Sequence, residues 1–498
     1  MEDPVSRQKL PVISGVTCDS RQVKPGYAFV AINGFQTDGN RYIAEAIQKG
    51  ARVIFTEKID NNLNTHNSGI PIIQVDDARE HLAYLAARHY NYPSSKLELI
   101  GITGTNGKTT STHLLYHLLN HSKINKEKPV AGLIGTVNVD TGKRIIPGEL
   151  TTPDPVTLQK FLREMLDAGL EYACMEVSSH GIKLKRIAET EFAVKVGTNL
   201  SADHFDLHPD FEDYMQVKKE FLEEKGTALV LLNQDNRYIN SFGKIAERQI
   251  NFSIRKTGDV CAKDIKNWQR GCSFTYRLNR PLNNEKTGVT IKPCSFPVKT
   301  NLPGEHNVYN SLIAITIALY YNIPIVTIQD FFLNFQGIWR RLEFIHDKDF
   351  TIIDDCAHNP GSYEAVFNSV LQMSYNKLII VNSLRGNRGT LINKKNAETI
   401  CKYLGQLQDY YLLNSNCIDV VKEIDMVSRE EERIFREILS IHNIKAEHYQ
   451  SLKPALERAL DLVEEKDIIL LLGPHAMDRA GKIILEMLCQ STIPVKGS

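Results

Sequence analysis

The sequence lacks several features that would assign it to a specialised class of protein. Its 59 Lys and Arg residues balance its 59 Asp and Glu residues. No net charge therefore draws the chain toward nucleic acid or an anionic membrane surface. No apolar run approaches the roughly 18 residues of a membrane-spanning helix; a candidate such as residues 468–472 has the length of a strand. The first ten residues are polar and of mixed charge, so we expect neither a signal peptide nor membrane insertion.

Cysteine is sparse and shows no pairing pattern. The chain has 9 cysteines, an odd number, and none of them forms a CxxC pair. Such scattered residues predict neither a disulfide framework nor a zinc site. We expect reduced thiols in a cytoplasmic protein, most of them small core residues.

The length and the element pattern predict three α/β domains. The 498 residues correspond to about three domains of ordinary size. Strand and helix patterns alternate, which is typical of parallel α/β sheets. We predict an N-terminal α/β domain (residues 1–96), a central P-loop-type parallel-sheet domain (97–336) and a C-terminal Rossmann-like domain (337–498). A polar linker at residues 91–95 marks the first boundary, Gly337 lies near the second, and residues 225–300 are rich in strand patterns.

Local signals place several helices. A helix over residues 41–49 is expected to end at Gly50. Leu114, Leu115, Leu118 and Leu119 share one face of a helix that follows a Gly-rich turn. In the last third, residues 428–431 (SREE) fit a capping box. The charged run at residues 430–436 predicts a solvated helix face.

The strongest chemical signal is residues 101–110 (GITGTNGKTT), between a predicted strand and a predicted helix. Glycines let successive backbone N–H groups turn toward one anion, and the helix N-terminus adds a positive dipole. Lys108 would reach the β- and γ-phosphates, and Thr109 would offer its hydroxyl to Mg²⁺. The strict P-loop pattern fails, because Ile stands at position 102, and a simple Gly-rich turn is the alternative. We favour phosphate binding.

Acidic residues follow other predicted strands. Glu176 ends an apolar strand at the edge where ligands of parallel sheets bind, and a carboxylate there suits Mg²⁺; a local ion pair is the alternative. Asp203, His204 and Asp206 cluster after another strand. They are candidates for the site, but a His there could equally have a purely structural role. A zinc site is disfavoured. Asp355 ends a strand of the last third and could bind a ribose hydroxyl or order Mg²⁺-bound water.

Basic residues are weaker signals when each is taken alone. Arg341 and Arg388 are candidate phosphate clamps, since Arg is always charged and bonds in a bidentate manner. Lys218 and Lys219 lie on a predicted helix, where exposed lysines are the default.

Together these segments resemble the Mur ligase family, the ATP-dependent amide-forming enzymes of peptidoglycan precursor synthesis. The resemblance is strongest to the branch that adds the third amino acid to a UDP-N-acetylmuramoyl peptide. It extends from Asp19 to about Glu343 and more loosely to the end. The matching segments are residues 19–21, 25–26, 29–31, 34, 38–39, 104–110, 151–155, 176–180, 203–204, 214–218, 306–310 and 341–343.

The resemblance implies a set of ligands and roles. Glu176 and His204 would bind Mg²⁺ with Thr109, and Lys218 would join them as a carbamate; Lys218 is preferred to Lys219 because it lies four residues after Tyr214. The remaining implied ATP-binding residues are Gly104, Thr105, Asn106, Gly107, Lys108, Thr110, Asn307 and Asn310 (near the adenine), Arg341 and Asp355 (near the ribose). The implied UDP-sugar-peptide residues are Ser20, Gln36, Thr37, Thr151, Thr152, Ser178 and Arg186. The implied amino-acid residues are Arg388, Asn416 and His475.

The departures from the family pattern concern the incoming amino acid. Residues 415–418 (SNCI) stand where diaminopimelate enzymes commonly have Asp-Asn-Pro-Arg, and residues 472–478 (LGPHAMD) replace a Gly-Lys-Gly-His-Glu element. Two polar anchors are absent, which disfavours diaminopimelate. Leu184 replaces a usual Gln, and Arg340 replaces the usual Gly before the hinge Arg. Residues 355–360 are closer to folylpolyglutamate synthetases, relatives in the same superfamily.

We therefore expect a monomeric ATP- and Mg²⁺-dependent ligase that joins an amino acid to a UDP-N-acetylmuramoyl-dipeptide-like carboxylate through an acyl phosphate. Arg340 and Arg341 are the hinge candidates for domain closure. One alternative keeps the chemistry but uses another carboxylate, as in secondary metabolism or polyglutamylation. The other is an ATPase scaffold that forms no amide bond.

Overall fold

A computed structural model describes residues 11–34, 37–59, 69–122, 130–201, 207–223, 226 and 228–490. Within these residues the strands form three main sheets, of four, eleven and six strands. The α/β fold class predicted from the sequence is confirmed. The boundaries at residues 96 and 336 stay predictions.

The N-terminal sheet consists of four parallel strands in the order β1-β2-β3-β4. Its strands are β1 (Gly15–Thr17), β2 (Tyr27–Ala31), β3 (Val53–Thr56) and β4 (Ile72–Gln74), and its helices are α1 (Ile43–Gln48) and α2 (Ala78–His89). The helix expected at residues 41–49 begins as a 3₁₀ turn, Gly39–Tyr42. It ends before Gly50, whose φ of 90° favours glycine.

The central sheet has eleven strands, and its middle is parallel. The order is β17-β14-β13-β12-β11-β10-β5-β9-β6-β7-β8, with antiparallel pairs toward both ends. The strands are β5 (Glu98–Thr103), β6 (Ala131–Ile134), β7 (Asn138–Asp140), β8 (Ile145–Pro147), β9 (Tyr172–Glu176), β10 (Val194–Gly197), β11 (Leu229–Asn233), β12 (Gln249–Ser253), β13 (Val260–Trp268), β14 (Gly271–Leu278) and β17 (Cys294–Thr300), with a separate hairpin of β15 (Leu282–Asn284) and β16 (Val289–Ile291). The helices are α3 (Lys108–His121), α4 (Pro155–Asp167), α5 (Ser179–Lys183), α6 (Phe211–Leu222), α7 (Arg237–Ser241), α8 (Glu305–Tyr320) and α9 (Ile325–Asn334).

Helix α3 is buried because its apolar face packs between the central sheet and α8. Leu114 and Leu118 are fully buried and belong to one core with Ile102 of β5 and Ile313 of α8. The helix predicted from the leucine spacing is therefore present. Its burial fixes the loop before Lys108 at the carboxyl edge of the parallel strands.

The C-terminal sheet has six strands in the order β18-β19-β23-β20-β21-β22, all parallel except the β18–β19 pair. The carboxyl ends of β19, β23, β20 and β21 therefore meet at one edge. The strands are β18 (Glu343–Asp347), β19 (Thr351–Asp355), β20 (Leu378–Ser383), β21 (Tyr410–Ser415), β22 (Glu447–Tyr449) and β23 (Ile468–Leu472), and the helices are α10 (Pro360–Val370), α11 (Thr390–Leu404), α12 (Arg429–Ile441), α13 (Leu452–Leu462) and α14 (Ala480–Gln490).

Two further expectations can be compared with the structure. All nine cysteines are free, and Cys174, Cys261, Cys272, Cys401 and Cys417 are buried.

Within the part of the chain that the structure describes, none of the helices combines the length and the apolar character needed to cross a bilayer.

Candidate ATP and substrate site

The loop between β5 and α3 has the backbone geometry of an anion-binding turn. Gly104 has φ of 146° and Gly107 has φ of 87°, conformations that favour glycine. A Cβ on Gly104 would collide with the Thr198 hydroxyl, and one on Gly107 would lie 2.7 Å from Oδ1 of Asn310. The close approach of the backbone to neighbouring residues therefore requires both glycines.

Residues after β10 hold this loop in place. The N–H of Thr105 donates to the carbonyl of Asn199 at 2.7 Å. The N–H of Asn106 donates to Oδ1 of Asn199 at 3.0 Å, and the Thr198 hydroxyl donates to the Asn106 carbonyl at 2.6 Å. The adjacency of β5 and β10 thus shapes the loop.

Lys108 and Thr109 begin α3 directly after the loop. Nζ of Lys108 donates to the carbonyl oxygens of Gly104 and Thr105, both at 2.9 Å. The ammonium group therefore lies over the loop, where the predicted phosphates would bind. Thr110 is buried in the same helical turn.

Glu176 is fully buried at the end of β9, beside Thr109. Its carboxylate accepts the hydroxyl proton of Thr109 at 2.8 Å and the N–H of Thr136 at 2.7 Å. A carboxylate and a hydroxyl at a phosphate loop are the hard oxygen donors that Mg²⁺ prefers. The residues present therefore fit a magnesium ion.

Lys218 points from α6 toward the same loop. Its side chain is 1% exposed, and Nζ donates to Oγ1 of Thr103 at 3.1 Å and to the carbonyl of Gly104 at 3.2 Å. Lys219, by contrast, lies 3.6 Å from Glu223 and is partly exposed. The buried position supports Lys218 as the candidate of the pair.

Two predicted site residues lie outside the residues that the structure describes: Gln36 and the metal candidate His204. The two acids predicted to cluster with His204, Asp203 and Asp206, also lie outside the described residues. Among the described residues no group of three or more His, Cys, Asp and Glu side chains is arranged to hold a metal ion. The predicted set with Thr109, Glu176 and Lys218 has a different donor composition and stays a prediction.

The two asparagines predicted near the adenine lie in the first turns of α8, against α3. Nδ2 of Asn310 donates to Oδ1 of Asn307 at 3.1 Å, and Oδ1 of Asn310 accepts the hydroxyl proton of Ser111 at 3.0 Å. Both asparagines are buried. The structure thus brings them next to the loop, at Gly107.

Among the described residues, Arg341 and Asn359 of the predicted C-terminal domain contact the start of α3 and the Gly-rich loop before it. Nη2 of Arg341 donates to Oγ1 of Thr109 at 3.2 Å. The side chains of Asn106 and Asn359 form a reciprocal amide pair, with both N–O distances 3.1 Å. Asn359 also caps α10 through its Oδ1, so this contact joins a helix end of one domain to the loop of another.

Asp355 lies beside Arg341 at this junction. Its Oδ2 accepts the N–H of Leu342 at 2.8 Å. Burial raises the pKa of Asp355 to about 7, while the Arg341 guanidinium acts in the opposite direction. The carboxyl group therefore helps to fix the junction, and its contact with a ribose stays a prediction.

Four residues predicted to hold the UDP-sugar peptide form one cluster beside Glu176. The Thr152 hydroxyl donates to the Glu176 carbonyl at 3.0 Å and accepts the N–H of Ser178 at 2.9 Å. Arg186 donates to the Thr152 carbonyl at 2.9 Å. The Thr151 hydroxyl lies 2.9 Å from that of Thr136. Candidate substrate residues and the candidate metal carboxylate thus share one region.

The N-terminal candidates are placed differently. The Ser20 hydroxyl donates to Glu45 at 2.9 Å, and the Thr37 hydroxyl lies 3.3 Å from that of Tyr42. These contacts are within the N-terminal domain, so they do not connect Ser20 or Thr37 to the cluster at Thr152.

The amino-acid candidates lie at the carboxyl edge of the C-terminal sheet. Arg388 lies 3.4 Å from Asp425. Nδ2 of Asn416 donates to Glu432 at 2.8 Å, and Nδ1 of His475 lies 3.1 Å from Oδ2 of Asp478. The residues follow β20, β21 and β23, three neighbouring strands.

The prediction of a solvated helix face at residues 430–436 is wrong at Glu431. The capping box with Ser428 is present, but Glu431 is 3% exposed. Its carboxylate accepts the N–H groups of Asn387, Arg388 and Gly389 at 3.2, 2.9 and 2.8 Å. Helical periodicity could not show this, because the loop that Glu431 holds is about 40 residues away in the chain.

Glu431→Ala is expected to accelerate amide hydrogen exchange at residues 387–389 roughly 100-fold, because three N–H groups lose a charged acceptor. Hydrogen-exchange mass spectrometry of the full chain measures this. Glu430→Ala is the matched control, since Glu430 is exposed on the same turn. Equal protection in both variants would contradict the structural role of Glu431.

Comparisons with known proteins agree with this organisation. Residues 12–90 match the model "Mur ligase family, catalytic domain", residues 102–318 match "Mur ligase middle domain", and residues 340–475 match "Mur ligase, glutamate ligase domain". A UDP-N-acetylmuramoyl-L-alanyl-D-glutamate–2,6-diaminopimelate ligase from Caldanaerobacter subterraneus subsp. tengcongensis is 32% identical over 463 residues, which cover 93% of this chain and 89% of that protein.

Solved structures are similar in fold. A structure of a UDP-N-acetylmuramoyl-L-alanyl-D-glutamate–2,6-diaminopimelate ligase aligns with a TM-score of 0.63 at 20% identity, covering 96% of both chains. The MurF ligase of Thermotoga maritima in complex with ADP aligns with a TM-score of 0.62 at 17% identity, covering 96% of this chain and 99% of that one.

Proposed function

The chain belongs to the Mur ligase family, and we propose that it is an ATP-dependent amide ligase that joins an amino acid to a UDP-N-acetylmuramoyl-dipeptide. One observation carries most of the proposal. Thr109, which follows Lys108 at the start of α3, contacts Glu176 at the end of β9, and Glu176 in turn lies next to the cluster of Thr152 and Arg186. A phosphate loop beside a polar substrate cluster is the arrangement that acyl phosphate formation requires.

In the first step, a carboxylate oxygen of the acceptor bonds to the γ-phosphorus of ATP. The bond from that phosphorus to the bridging oxygen breaks, and ADP leaves. Lys108 and the N–H groups at the start of α3 offset the charge on the transferred phosphoryl group. Asn307 and Asn310 would lie near the adenine, and Asp355 near the ribose.

The residues Thr109 and Glu176 would hold Mg²⁺, with His204 and a carbamate on Lys218 completing the set. When bound, the ion would reduce the negative charge on the ATP phosphates. Arg341, which already contacts Thr109, adds a fixed positive charge at the same place.

In the second step, the amine of the incoming amino acid bonds to the acyl carbon. The carbon–oxygen bond breaks, phosphate leaves with one oxygen of the acceptor, and the amine nitrogen releases a proton. Water must be excluded to protect the acyl phosphate. The Asn106–Asn359 pair and the contact of Arg341 with Thr109 would hold the domains closed during this step.

Thr151, Thr152, Ser178 and Arg186 would bind the acceptor near its reacting carboxylate. Ser20, Gln36 and Thr37 would bind its uridine nucleotide. Arg388, Asn416 and His475 would lie near the incoming amino acid. Because the two polar anchors for diaminopimelate are absent, we expect another amino acid to be preferred. We further propose a monomeric enzyme of the cytoplasm, where its nine free thiols would stay reduced.

An isotope experiment tests this function. UDP-N-acetylmuramoyl-dipeptide labelled with ¹⁸O in its free carboxylate is incubated with ATP, Mg²⁺ and each of the twenty amino acids or diaminopimelate. We expect one amino acid to give a conjugate by mass spectrometry, with one ¹⁸O in the released phosphate. Parallel reactions offer a folate or a free peptide as the acceptor, and conjugation in one of these instead would identify another acceptor. ATP turnover that no amino acid stimulates, with unlabelled phosphate, would indicate an ATPase scaffold.

A further inference from the structure

The guanidinium of Arg340 is buried and bonded on all sides. The side chain is 1% exposed. Nε donates to Oδ1 of Asp354 at 3.0 Å. Nη1 donates to Oδ1 of Asp478 at 2.6 Å and to the Pro474 carbonyl at 3.0 Å, and Nη2 donates to the Gly473 carbonyl at 2.7 Å. Nη2 also donates to the Asp355 carbonyl at 3.5 Å, so a single side chain satisfies five acceptors.

These acceptors belong to two neighbouring strand ends. Strands β19 and β23 are adjacent and parallel; Asp354 lies in β19, and residues 473–478 follow β23. The planar guanidinium has five N–H donors in a fixed arrangement, whereas a lysine ammonium has three donors at one point. Arg340 thus fixes the segment after β23 in a way that lysine could not reproduce. Its buried charge is compensated by Asp354 and Asp478.

The second oxygen of Asp478 extends this arrangement to the surface. Nδ1 of His475 lies 3.1 Å from Oδ2 of Asp478, and the His475 side chain is 61% exposed. The hydrogen bond to Asp478 raises the pKa of His475, while burial opposes the shift; the charges of Asp478, Cys356 and Asp425 act in the same direction as the hydrogen bond. The hydrogen bond thus orients the imidazole and favours its protonated form.

The position of His475 relates it to the reaction. It lies at the sheet edge that also carries Arg388 and Asn416. Arg341, the residue after Arg340, contacts Thr109 of the ATP loop. The consecutive residues Arg340 and Arg341 therefore connect the proposed ATP loop, through Arg341, to the segment 473–478 that carries His475, through Arg340.

We propose that Arg340 is a positioning residue, which through Asp478 holds His475 where its imidazolium binds a carboxylate of the incoming amino acid. This inference rests on the proposed ligase function and names the group of the second substrate that the site recognises. It explains how the site binds a carboxylate although Ile418 stands where the family resemblance places an arginine.

The first test needs no substrate. The full chain, labelled with ¹⁵N-histidine, is titrated by NMR in the wild type and in Asp478→Asn, which keeps the shape of the side chain but removes its charge. We expect the midpoint of His475 to move to lower pH by about one unit, and that of His89 in the N-terminal domain to stay unchanged. An unchanged His475 midpoint would overturn the proposed positioning of His475 through Asp478, whatever the substrates of the enzyme are.

The second test uses the amino acid selected by the screen above. His475→Gln is expected to raise KM for that amino acid about tenfold at pH values where the wild-type imidazole is charged, with kcat and the KM for ATP changed less than twofold. In the wild type, KM should rise as pH increases through the His475 midpoint, because the cation is then lost. In Asp478→Asn that rise should begin at lower pH, and in His475→Gln it should be absent.

Arg340→Lys should reproduce part of the KM effect by loosening residues 473–478. Arg458→Met, which removes an arginine paired with Glu447 elsewhere in the domain, is the control for general destabilisation. A KM that rises in Arg388→Gln but not in His475→Gln or Asp478→Asn would overturn the inference while leaving the ligase function intact. If the wild type forms no amide product, the ligase function is refuted, and the NMR result still stands.

Discussion

Lys108→Ala is expected to lower the rate of ATP-dependent ligation by about 10³-fold or more. The ammonium group lies over the proposed phosphate loop, bonded to the carbonyls of Gly104 and Thr105. Removal of one preorganised donor from a site of charge development typically reduces kcat by about 10²–10³-fold. Lys108 also carries a full charge that alanine cannot replace.

Phosphate release and conjugate formation, measured on the same samples, check this prediction. Lys219→Ala is the matched control, because Lys219 is a partly exposed helical lysine that pairs with Glu223; it should retain at least half of the activity. Near-normal turnover in Lys108→Ala would refute the assignment of residues 104–110 as the ATP loop.

Lys218→Ala is expected to lower ligation by about 10²-fold, and added formate or acetate should restore part of it. The side chain is buried against Thr103 and Gly104, so its removal leaves a cavity at the loop. A short carboxylate that enters this cavity would supply the oxygen that a carbamate provides, whereas an ammonium group could not be replaced by an anion.

Two comparisons make the Lys218 experiment specific. The same carboxylates should not rescue Lys108→Ala, and chloride at equal ionic strength should rescue neither variant. A crystal structure of the wild type should contain density for the carbamate. If rescue and density are both absent, Lys218 acts as a cation or a structural residue and not as an oxygen ligand.

The positions of several candidate site residues could be predicted because their signals are local. The loop at residues 104–110 combines two glycines of unusual backbone conformation with a lysine at the start of a helix, and all of this is contained in seven residues. Glu176 could be placed because the carboxyl ends of parallel strands meet at one edge. The resemblance to a family then ordered segments that are individually weak.

Other features could not be predicted because their partners are distant in the chain. Asn359 looked like part of a short motif, yet its amide pairs with Asn106. Glu431 looked like a solvated helix charge, yet it accepts three N–H groups of another loop. Thr136 carried no signal, although its N–H bonds to the candidate metal carboxylate. Helical and strand periodicities describe which face is buried, and they do not describe what lies against it.

The amino-acid sequence by itself determined the α/β class, the Gly-rich turn before α3 and the positions of Glu176 and Asp355 at strand ends, because each depends on residue spacing within one strand, turn or helix. Only the tertiary structure decided that Arg340 is a buried connector and that Asp478 joins it to His475. That result depends on which strands become neighbours in the C-terminal sheet. Strand order is fixed by the packing of the whole domain, since each strand pairs with segments that are remote in sequence.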